Sequence, residues 1–233
     1  MSGKGGVGKS TVTCALARRL ASMGYKVGIM DADITGPSIP RMMGIAERCE
    51  ENDNGIVPPC SAERIKIISM NLLLKNEDDA VIWRGPVIAG VVKQFWEDVD
   101  WDETDCMFVD CPPGTGDVPL TVFQSMPIDG IIIVTSPQDL VSMIVEKAIN
   151  MAKLMNIPVL GIVENMSYFK CPDCGNIHYI YGKSKIDEVA AANDIKTVAK
   201  LPMDAKVAEL VDSGKAEELD VSALDGIFDA IMA

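Results

Sequence analysis

Short apolar runs alternate with longer segments of helical spacing along most of the chain. The runs are apolar almost throughout and seldom alternate with polar residues, which is typical of strands covered on both faces in a parallel sheet. They lie at residues 26–30, 65–69, 106–110, 130–135, 158–163 and, more weakly, 197–201. The helical segments lie between or after them, at residues 9–23, 87–98, 117–124, 140–155, 185–193, 205–212 and 222–232. This alternation predicts an α/β fold with a doubly wound, mostly parallel sheet.

Two segments interrupt this alternation. Residues 47–62 are polar and are predicted to form a loop, whereas residues 166–183 carry the closely spaced Cys171 and Cys174 and are predicted to form an insertion. The sequence contains no internal repeat, no low-complexity segment and no linker rich in proline, glycine and serine. We therefore expect residues 1–233 to form a single domain that carries this insertion.

The N-terminal segment from Gly3 to Ser10 matches the phosphate-loop pattern G-x-x-x-x-G-K-[ST]. Glycines let backbone N–H groups converge on phosphate oxygens, and the helix that follows directs its positive N-terminal dipole at the same anions. In this pattern Lys9 supplies a charge for the β- and γ-phosphates, and the hydroxyl of Ser10 ligates Mg²⁺. The loop residues expected to bind ATP are Gly3, Lys4, Gly5, Gly6, Val7, Gly8, Lys9, Ser10 and Thr11.

Two carboxylates follow apolar strands further along the chain. Asp33 comes just after the run 26–30, and Asp110 ends the run 106–110. Ligands bind α/β sheets at the carboxyl ends of strands, and an apolar strand that ends in aspartate is the Walker B arrangement, which places a carboxylate near the water shell of Mg²⁺. Either aspartate alone would be interpreted as a helix cap or a turn residue. The phosphate loop upstream favours a nucleotide site, with the turn 112–117 as a sensor of the γ-phosphate.

Charge and composition disfavour several other functions. The 233 residues include 21 Lys and Arg against 34 Asp and Glu, a formal net charge of −13, so the chain lacks the basic field that non-specific binding to nucleic acid or an anionic membrane requires. No apolar run reaches the roughly 18–20 residues that span a bilayer, and we expect no secretion signal. The seven cysteines are mostly single and surrounded by apolar residues, which predicts a reducing, cytoplasmic location.

Cys171 and Cys174 are spaced differently from the other cysteines. The sequence C-P-x-C-G is typical of a metal-binding turn, in which the proline shapes the turn and the glycine lets backbone N–H groups point at sulfur. Two thiolates are half of a usual four-ligand shell, and no second C-x-x-C occurs in the chain. Two copies of the chain would supply four thiolates, which predicts a homodimer with the metal between its subunits. Four sulfurs suit either an iron–sulfur cluster or Zn²⁺.

Three further residues have reactive side chains, but we expect them to serve the structure rather than the chemistry of the protein. His178 is the single histidine and lies near the cysteine pair, but we expect it at the surface or in packing rather than as a ligand. Cys111 follows the Walker B aspartate and Cys14 lies in the first helical segment; both are expected to be buried thiols.

The phosphate loop contains a second lysine, Lys4, directly after its first glycine. An ordinary Walker A loop does not need this lysine, and the loop resembles the deviant form found in the MinD, ParA and nitrogenase iron protein class of P-loop ATPases. The resemblance implies that Lys4 reaches across a dimer interface to the nucleotide of the other subunit. It thereby gives Lys4, together with Lys9, a part in catalysis.

Five motifs narrow the resemblance to one branch of that class. They occur in this order at residues 31–40 (DADITGPSIP), 83–86 (WRGP), 110–117 (DCPPGTGD), 164–169 (ENMSYF) and 171–175 (CPDCG). Together they are similar to the Mrp/ApbC branch, whose members are ATP-dependent iron–sulfur cluster carriers. The resemblance implies a homodimer in which Cys171 and Cys174 of two chains bridge a [4Fe–4S] cluster for delivery to apo-protein clients. It also implies that Asp33 positions the attacking water, that Asp110 serves the Mg²⁺ shell and that Asn165 contacts adenine.

Two other functions remain open from the residues. A positioning ATPase of the ParA/MinD type, with a structural zinc at the cysteine pair, would share the phosphate loop. The acidic charge and the lack of a basic, membrane-binding C-terminal segment argue against it. A small-molecule P-loop kinase or ligase would need an acceptor-substrate pocket and would leave Lys4 without a role.

The beginning of the chain departs from other P-loop proteins. The loop normally follows a central strand, but only Met1 and Ser2 precede Gly3 in this numbering. The first strand of the fold is therefore expected to be absent from the chain as numbered. A gap within a parallel sheet would leave backbone N–H and C=O groups without partners.

Overall fold

The computed structural model describes residues 1–2, 4–34, 36–73, 85–138 and 141–233, without the side chains at positions 85, 86, 141 and 142. Several positions that the sequence analysis names lie outside the described residues. They are Gly3 of the phosphate loop, Thr35 in the motif 31–40, Trp83 and Arg84 in the motif 83–86, and Leu140 at the start of a predicted helix.

Helices and strands alternate along the chain, close to the predicted positions. The strands are β1 Val27–Asp31, β2 Glu50–Asn52, β3 Gly55–Val57, β4 Lys66–Ile68, β5 Cys106–Asp110, β6 Ile131–Thr135, β7 Val159–Lys170, β8 Ile177–His178 and β9 Val198–Pro202. The α-helices are α1 Lys9–Ser22, α2 Ile39–Met42, α3 Gly85–Glu97, α4 Asp117–Ser125, α5 Val141–Leu154, α6 Ile186–Ala192, α7 Ala205–Asp212 and α8 Asp225–Met232. Within the described ranges, none of these helices combines the length and apolar character needed to cross a membrane.

The central strands form two parallel part-sheets. The first has the order β4-β1-β5, and in the second β7 lies between β6 and β9. The far end of β7 continues past β6 and pairs with β8 in the antiparallel sense. A separate antiparallel pair is formed by β2 and β3. Because the central strands run parallel, their carboxyl ends lie at one edge, which is where the candidate site is found.

Helices cover both faces of the first part-sheet. Ile29 and Met30 are fully buried neighbours in β1, and successive strand residues point to opposite faces. Ile29 shares a core with Leu16 and Leu20 of α1, whereas Met30 shares a core with Phe95 of α3. A third core packs β6 and β7 against α5 and α6. The prediction of a doubly wound, mostly parallel α/β fold is confirmed.

The first two residues connect the two part-sheets. The backbone nitrogen of Met1 donates to the carbonyl oxygen of Ile132 (2.9 Å), and the carbonyl oxygen of Met1 accepts from the N–H of Val134 (2.8 Å), both in β6. The carbonyl oxygen of Ser2 accepts from the N–H of Gly114 (2.7 Å), just beyond β5. No strand precedes α1 among the described residues. These hydrogen bonds satisfy part of the backbone that the gap between β5 and β6 would otherwise leave unpaired.

One prediction of local structure is wrong, and the start of another predicted segment lies inside a strand. Residues 47–62, predicted as a loop, contain the hairpin of β2 and β3, whose turn is closed by the N–H of Asn54 donating to the side-chain oxygen of Asn52 (2.7 Å). All of β2 is exposed, so this strand lacks the apolar run by which the others are predicted. In addition, β7 extends to Lys170, well beyond its apolar run, so the predicted insertion at about 166–183 begins inside a strand.

We expect Leu20→Ala to lower the free energy of unfolding by about 2–5 kcal/mol, because the Leu20 side chain is fully buried between α1 and β1. Leu154→Ala is the matched control, since Leu154 is 85% exposed and its truncation should change stability by less than about 0.5 kcal/mol. Urea denaturation followed by circular dichroism measures both. Equal losses in the two variants would contradict this assignment of the core.

Candidate functional site

The phosphate loop is shaped by glycines in the left-handed region. Gly6 has φ 76° and Gly8 has φ 84°, and Gly8 is the N-cap residue directly before α1. The side-chain amide of Asn165, in β7, lies against this point and donates to the carbonyl oxygen of Val7 (3.0 Å). A Cβ atom on Gly8 would lie 2.2 Å from Nδ2 of Asn165. Both the backbone angle and the close contact therefore require glycine at position 8.

The predicted catalytic lysine lies between the two predicted carboxylates. The ammonium nitrogen of Lys9 is 3.2 Å from Oδ1 of Asp110 and 3.9 Å from Oδ2 of Asp33. Lys9 is 8% exposed, and Asp110 is almost completely buried at the end of β5. The hydroxyl of Ser10 donates to Oδ2 of Asp110 at 2.5 Å. Four of the residues predicted for catalysis, phosphate and Mg²⁺ are thus in contact at the carboxyl edge of the sheet.

One oxygen of Asp110 bears on the question of a metal ion. Oδ1 is buried and accepts no hydrogen bond within the described ranges, although it forms the ion pair with Lys9. A buried carboxylate oxygen without a hydrogen-bond donor, next to the hydroxyl of Ser10, offers the hard oxygen donors that Mg²⁺ prefers. The residues present therefore fit the ion that the phosphate-loop pattern implies.

Asp31 supports the site although the sequence analysis does not name it as a site residue. Its buried carboxylate accepts from the N–H groups of Asp33 (3.2 Å), Ser38 (3.1 Å) and Ile39 (3.3 Å), so it holds the turn that carries Asp33. Burial and then the nearby carboxylate of Asp110 raise the pKa of Asp31 to about 7, against the opposing effect of the N–H donors. Its position as the last residue of β1 is the signal that identifies it.

Lys4 has a different environment from Lys9. It is exposed, and its ammonium group donates to the side-chain oxygen of Gln138, just beyond β6. Gln138 is a second residue at the site that the sequence analysis does not name. It also follows a strand that ends at the carboxyl edge of the sheet, which is the pattern that locates Asp33 and Asp110.

An apolar cleft of about 530 Å³ opens beside the phosphate loop. Its volume lies in the range of small-molecule sites, and its walls come from α1, the far half of β7, the end of β9 and α7. The lining residues are Gly8, Thr11, Asn165, Met166, Phe169, Pro202, Met203, Asp204, Ala205, Val207, Ala208, Val211 and Asp212. The predicted adenine contact, Asn165, is thus placed where the loop and the cleft meet.

The predicted metal ligands lie at the tip of a hairpin, and we call residues 167–184 the cysteine hairpin. The turn between β7 and β8 is closed by the N–H of Gly175 donating to the carbonyl oxygen of Cys171 (2.9 Å), with Gly175 at φ 72°. The backbone N–H groups of Cys174 and Asp173 donate to the sulfur of Cys171 and lower the pKa of this thiol. They favour the thiolate, which is the form that binds metals.

The other reactive side chains do not extend the cysteine pair into a larger site. No group of three or more His, Cys, Asp and Glu that could hold a metal ion occurs in the described part of the chain. His178 is exposed at the end of β8, in agreement with its predicted surface position. Cys14 and Cys111 are buried as expected, and burial raises the pKa of Cys14 well above its usual range and that of Cys111 to about 11.

Comparison of the sequence with known proteins gives a family and a close relative. A family model named ParA and described as NUBPL iron-transfer P-loop NTPase matches residues 1–232. The "Iron-sulfur cluster carrier protein" of Clostridium perfringens (strain 13 / Type A) is 49% identical over 226 residues, which cover 94% of this chain and 79% of that protein.

Comparison of the structure with solved structures gives the same type of protein. The nucleotide-binding protein from Archaeoglobus fulgidus in complex with ADP is 43% identical, with a TM-score of 0.87, over 97% of this chain and 88% of that chain. The cell division ATPase MinD of Pyrococcus furiosus has a TM-score of 0.71 over 100% of this chain and 96% of that chain. It is only 20% identical, so this second likeness shows the shared fold.

We expect Gly8→Ala to weaken nucleotide binding by tenfold or more, because the new Cβ would displace Asn165 from the phosphate loop at a left-handed backbone position. Gly24→Ala is the matched control: Gly24 has φ 93°, but nothing lies within 4 Å of its Cβ position. It should lose about 1 kcal/mol of stability and bind nucleotide normally. Titration with a fluorescent nucleotide measures both, and equal affinities in the two variants would contradict the proposed contact.

Proposed function

The chain belongs to the family of NUBPL iron-transfer P-loop NTPases, and we propose from this premise that it hydrolyses ATP and carries an iron–sulfur cluster to apo-proteins. The observation that carries the proposal is the position of Cys171 and Cys174 at the tip of a hairpin built on β7, whose Asn165 contacts the phosphate loop. The name of the Clostridium relative, an iron-sulfur cluster carrier protein, supports it.

ATP is proposed to bind with its phosphates on the loop and its base in the apolar cleft. The loop N–H groups and the N-terminus of α1 complement phosphate charge, and Lys9 adds a full positive charge. The cleft adjoins the loop at Gly8, and the amide of Asn165 provides a polar group at that junction. The solved structure of the Archaeoglobus protein, which is in complex with ADP, supports the binding of an adenine nucleotide.

Hydrolysis would depend on positioning and charge stabilisation, because phosphoryl transfer needs little covalent chemistry from the protein. The side chain of Asp33 is 16% exposed, so its carboxylate can contact both Lys9 and a water molecule. We therefore assign to Asp33 the positioning of the attacking water. Lys9 would neutralise the charge that develops on the γ-phosphate. Asp31 keeps Asp33 in place through the N–H of that residue.

The same site is proposed to hold Mg²⁺ together with the nucleotide. Ser10 would ligate the ion through its hydroxyl, and Asp110 would accept from its water shell through the carboxylate, which includes the buried Oδ1. Bound Mg²⁺ supplies charge that stabilises the β- and γ-phosphate oxygens.

The cluster is the cargo of the carrier, and we propose that two chains share it. A chain contributes the two thiolates of Cys171 and Cys174, and no larger group of metal-binding side chains occurs in the described ranges. Four thiolates from two chains complete the shell of a [4Fe–4S] cluster, with zinc as the less favoured occupant. All seven cysteines are free thiols, which suits the reducing cytoplasm.

The surface around the cysteine hairpin is suited to contact with a second copy. Large apolar side chains are exposed there, although most such side chains are buried in a monomeric protein. They are Phe169, Ile177, Tyr179, Ile180 and Tyr181, between 36% and 59% exposed. We propose that these side chains pack in a homodimer, and that Lys4 acts on the nucleotide of the other subunit.

We expect Lys4→Ala to bind ATP normally and to lose about a hundredfold in hydrolysis, because a charge that stabilises the transition state is removed. Lys26→Ala, at the opposite edge of the sheet, is the control and should hydrolyse ATP at the wild-type rate. Verified heterodimers of Lys4→Ala with Asp33→Ala should regain activity at one site, the one with its own Asp33 and the Lys4 of the other chain. Heterodimers without activity would contradict action across the interface.

We expect Cys171→Ser and Cys174→Ser each to abolish the iron and sulfide that anaerobically purified protein carries, since each removes two of the four thiolates that two chains supply. Cys60→Ser is the matched control, because Cys60 is also an exposed free thiol but lies in another part of the fold. Both hairpin variants should still bind ATP. A colourless wild-type protein that holds stoichiometric zinc would overturn the carrier proposal.

A further inference from the structure

A buried carboxylate lies at the base of the cysteine hairpin. Glu164 is 1% exposed and accepts from the hydroxyls of Ser167 (2.6 Å) and Ser184 (2.5 Å), one on each carboxylate oxygen. The hydroxyl oxygen of Ser184 in turn accepts from the N–H of Ile186 (3.0 Å), in the first turn of α6. We call Glu164, Ser167 and Ser184 the hairpin base.

The hairpin base joins the two ends of the segment that carries the cysteines. Ser167 lies in β7, a few residues before Cys171, and Ser184 lies after β8, directly ahead of α6. Sixteen residues of chain lie between the two serines, and one side chain holds both. If Glu164 lost either hydroxyl, one of its buried carboxylate oxygens would have no hydrogen-bond donor, which costs free energy. We therefore expect the two ends of the hairpin to move together with Glu164.

The neighbouring residue touches the nucleotide site. Asn165 follows Glu164 in β7 and contacts the phosphate loop at Val7 and Gly8. The regular pairing of β7 with β9 is interrupted directly after Glu164, and Met166 there adopts φ 56°. An irregularity of this kind leaves residues outside the ladder and bends the strand locally, so regular pairing with β9 does not fix β7 at this point.

The cleft reaches the same stretch of strand. Met166 and Phe169 line it beyond Asn165, and Phe169 is two residues from Cys171. A base bound in the cleft would therefore contact β7 on the hairpin side of Glu164, while the phosphate loop contacts β7 next to Glu164. The two nucleotide states differ at the phosphates, and Asn165 makes the contact between β7 and the phosphate loop.

We propose that Glu164, with Ser167 and Ser184, is a positioning residue that couples the nucleotide state to the cysteine pair. A shift of Asn165 is passed to Glu164, and the two hydroxyl contacts convert it into a rotation of the whole hairpin. The proposal rests on the proposed function for the nature of nucleotide and cargo. The contacts through which the coupling is proposed to act are all made by residues that the structure describes.

The experiment measures the reactivity of Cys171 and Cys174 toward Ellman's reagent in metal-free protein, in a Cys60→Ser background. Rates are compared with Mg-ADP and with a non-hydrolysable ATP analogue. In wild type we expect the two nucleotides to give rates that differ by about fivefold or more. Ser184→Ala should bind both nucleotides with unchanged affinity but reduce the difference to below about twofold. Ser184→Thr, which keeps the hydroxyl, should restore it.

Controls separate coupling from general destabilisation. Ser22→Ala removes an exposed hydroxyl at the end of α1 and should respond as wild type. Ser167→Ala removes the other hydroxyl of the hairpin base and should reproduce Ser184→Ala, with circular dichroism to verify the fold of each variant. Equal labelling rates with the two nucleotides in wild type, or a wild-type response in both alanine variants, would overturn the inference.

A parallel measurement of bound iron and sulfide distinguishes this inference from the proposed function. If the cysteines bind no cluster but Ser184→Ala abolishes the nucleotide effect, the proposed function fails and the coupling stands. If the cluster binds and both Ser184→Ala and Ser167→Ala respond as wild type, the proposed function stands and the coupling is wrong.

Discussion

The rest of the site depends on a buried ammonium group. Lys9 lies almost out of solvent at the start of α1, and burying a charge costs several kcal/mol unless opposite charge accompanies it. The carboxylates of Asp110 and Asp33 provide that charge, and each comes from the end of a different strand. The pairing of β1 with β5 brings the two aspartates together, with Asp31 opposite Asp110 in the register. The sheet therefore positions the carboxylates that hold Lys9 beside the phosphate loop, and the Lys9 ammonium is the positive charge that makes this an anion site.

One strand connects this anion site with the cysteines. β7 contacts the phosphate loop through Asn165, lines the cleft with Met166 and Phe169, and ends one residue before Cys171. Most strands of the sheet stop at the carboxyl edge, whereas β7 continues beyond it as one arm of the hairpin. A carrier needs nucleotide and cargo to influence each other, and a continuous strand with a buried carboxylate at the junction provides a short physical connection.

The regular elements are predicted well from the sequence, and the residues predicted for the phosphate site lie close together in the structure, because both are encoded locally. Buried strands such as β5 are continuous apolar runs, and the phosphate loop is a contiguous motif; the family resemblance that the motifs indicate is also confirmed. The hairpin of β2 and β3 and the short helix α2 were not predicted, since exposed or very short elements carry no hydrophobic period. The contacts of Asp31, Gln138 and Glu164 join residues distant in the chain, and no local pattern reveals such partners.

The central claim is that a single cluster is held between two chains, and native mass spectrometry of anaerobically reconstituted protein tests it most directly. We expect a species of two chains plus the mass of one [4Fe–4S] cluster, which dissociates to metal-free single chains when the cluster is removed by chelation and oxidation. A cluster retained on a single chain, or a dimer that carries one cluster per chain, would contradict it, because the two thiolates of Cys171 and Cys174 cannot complete the shell alone.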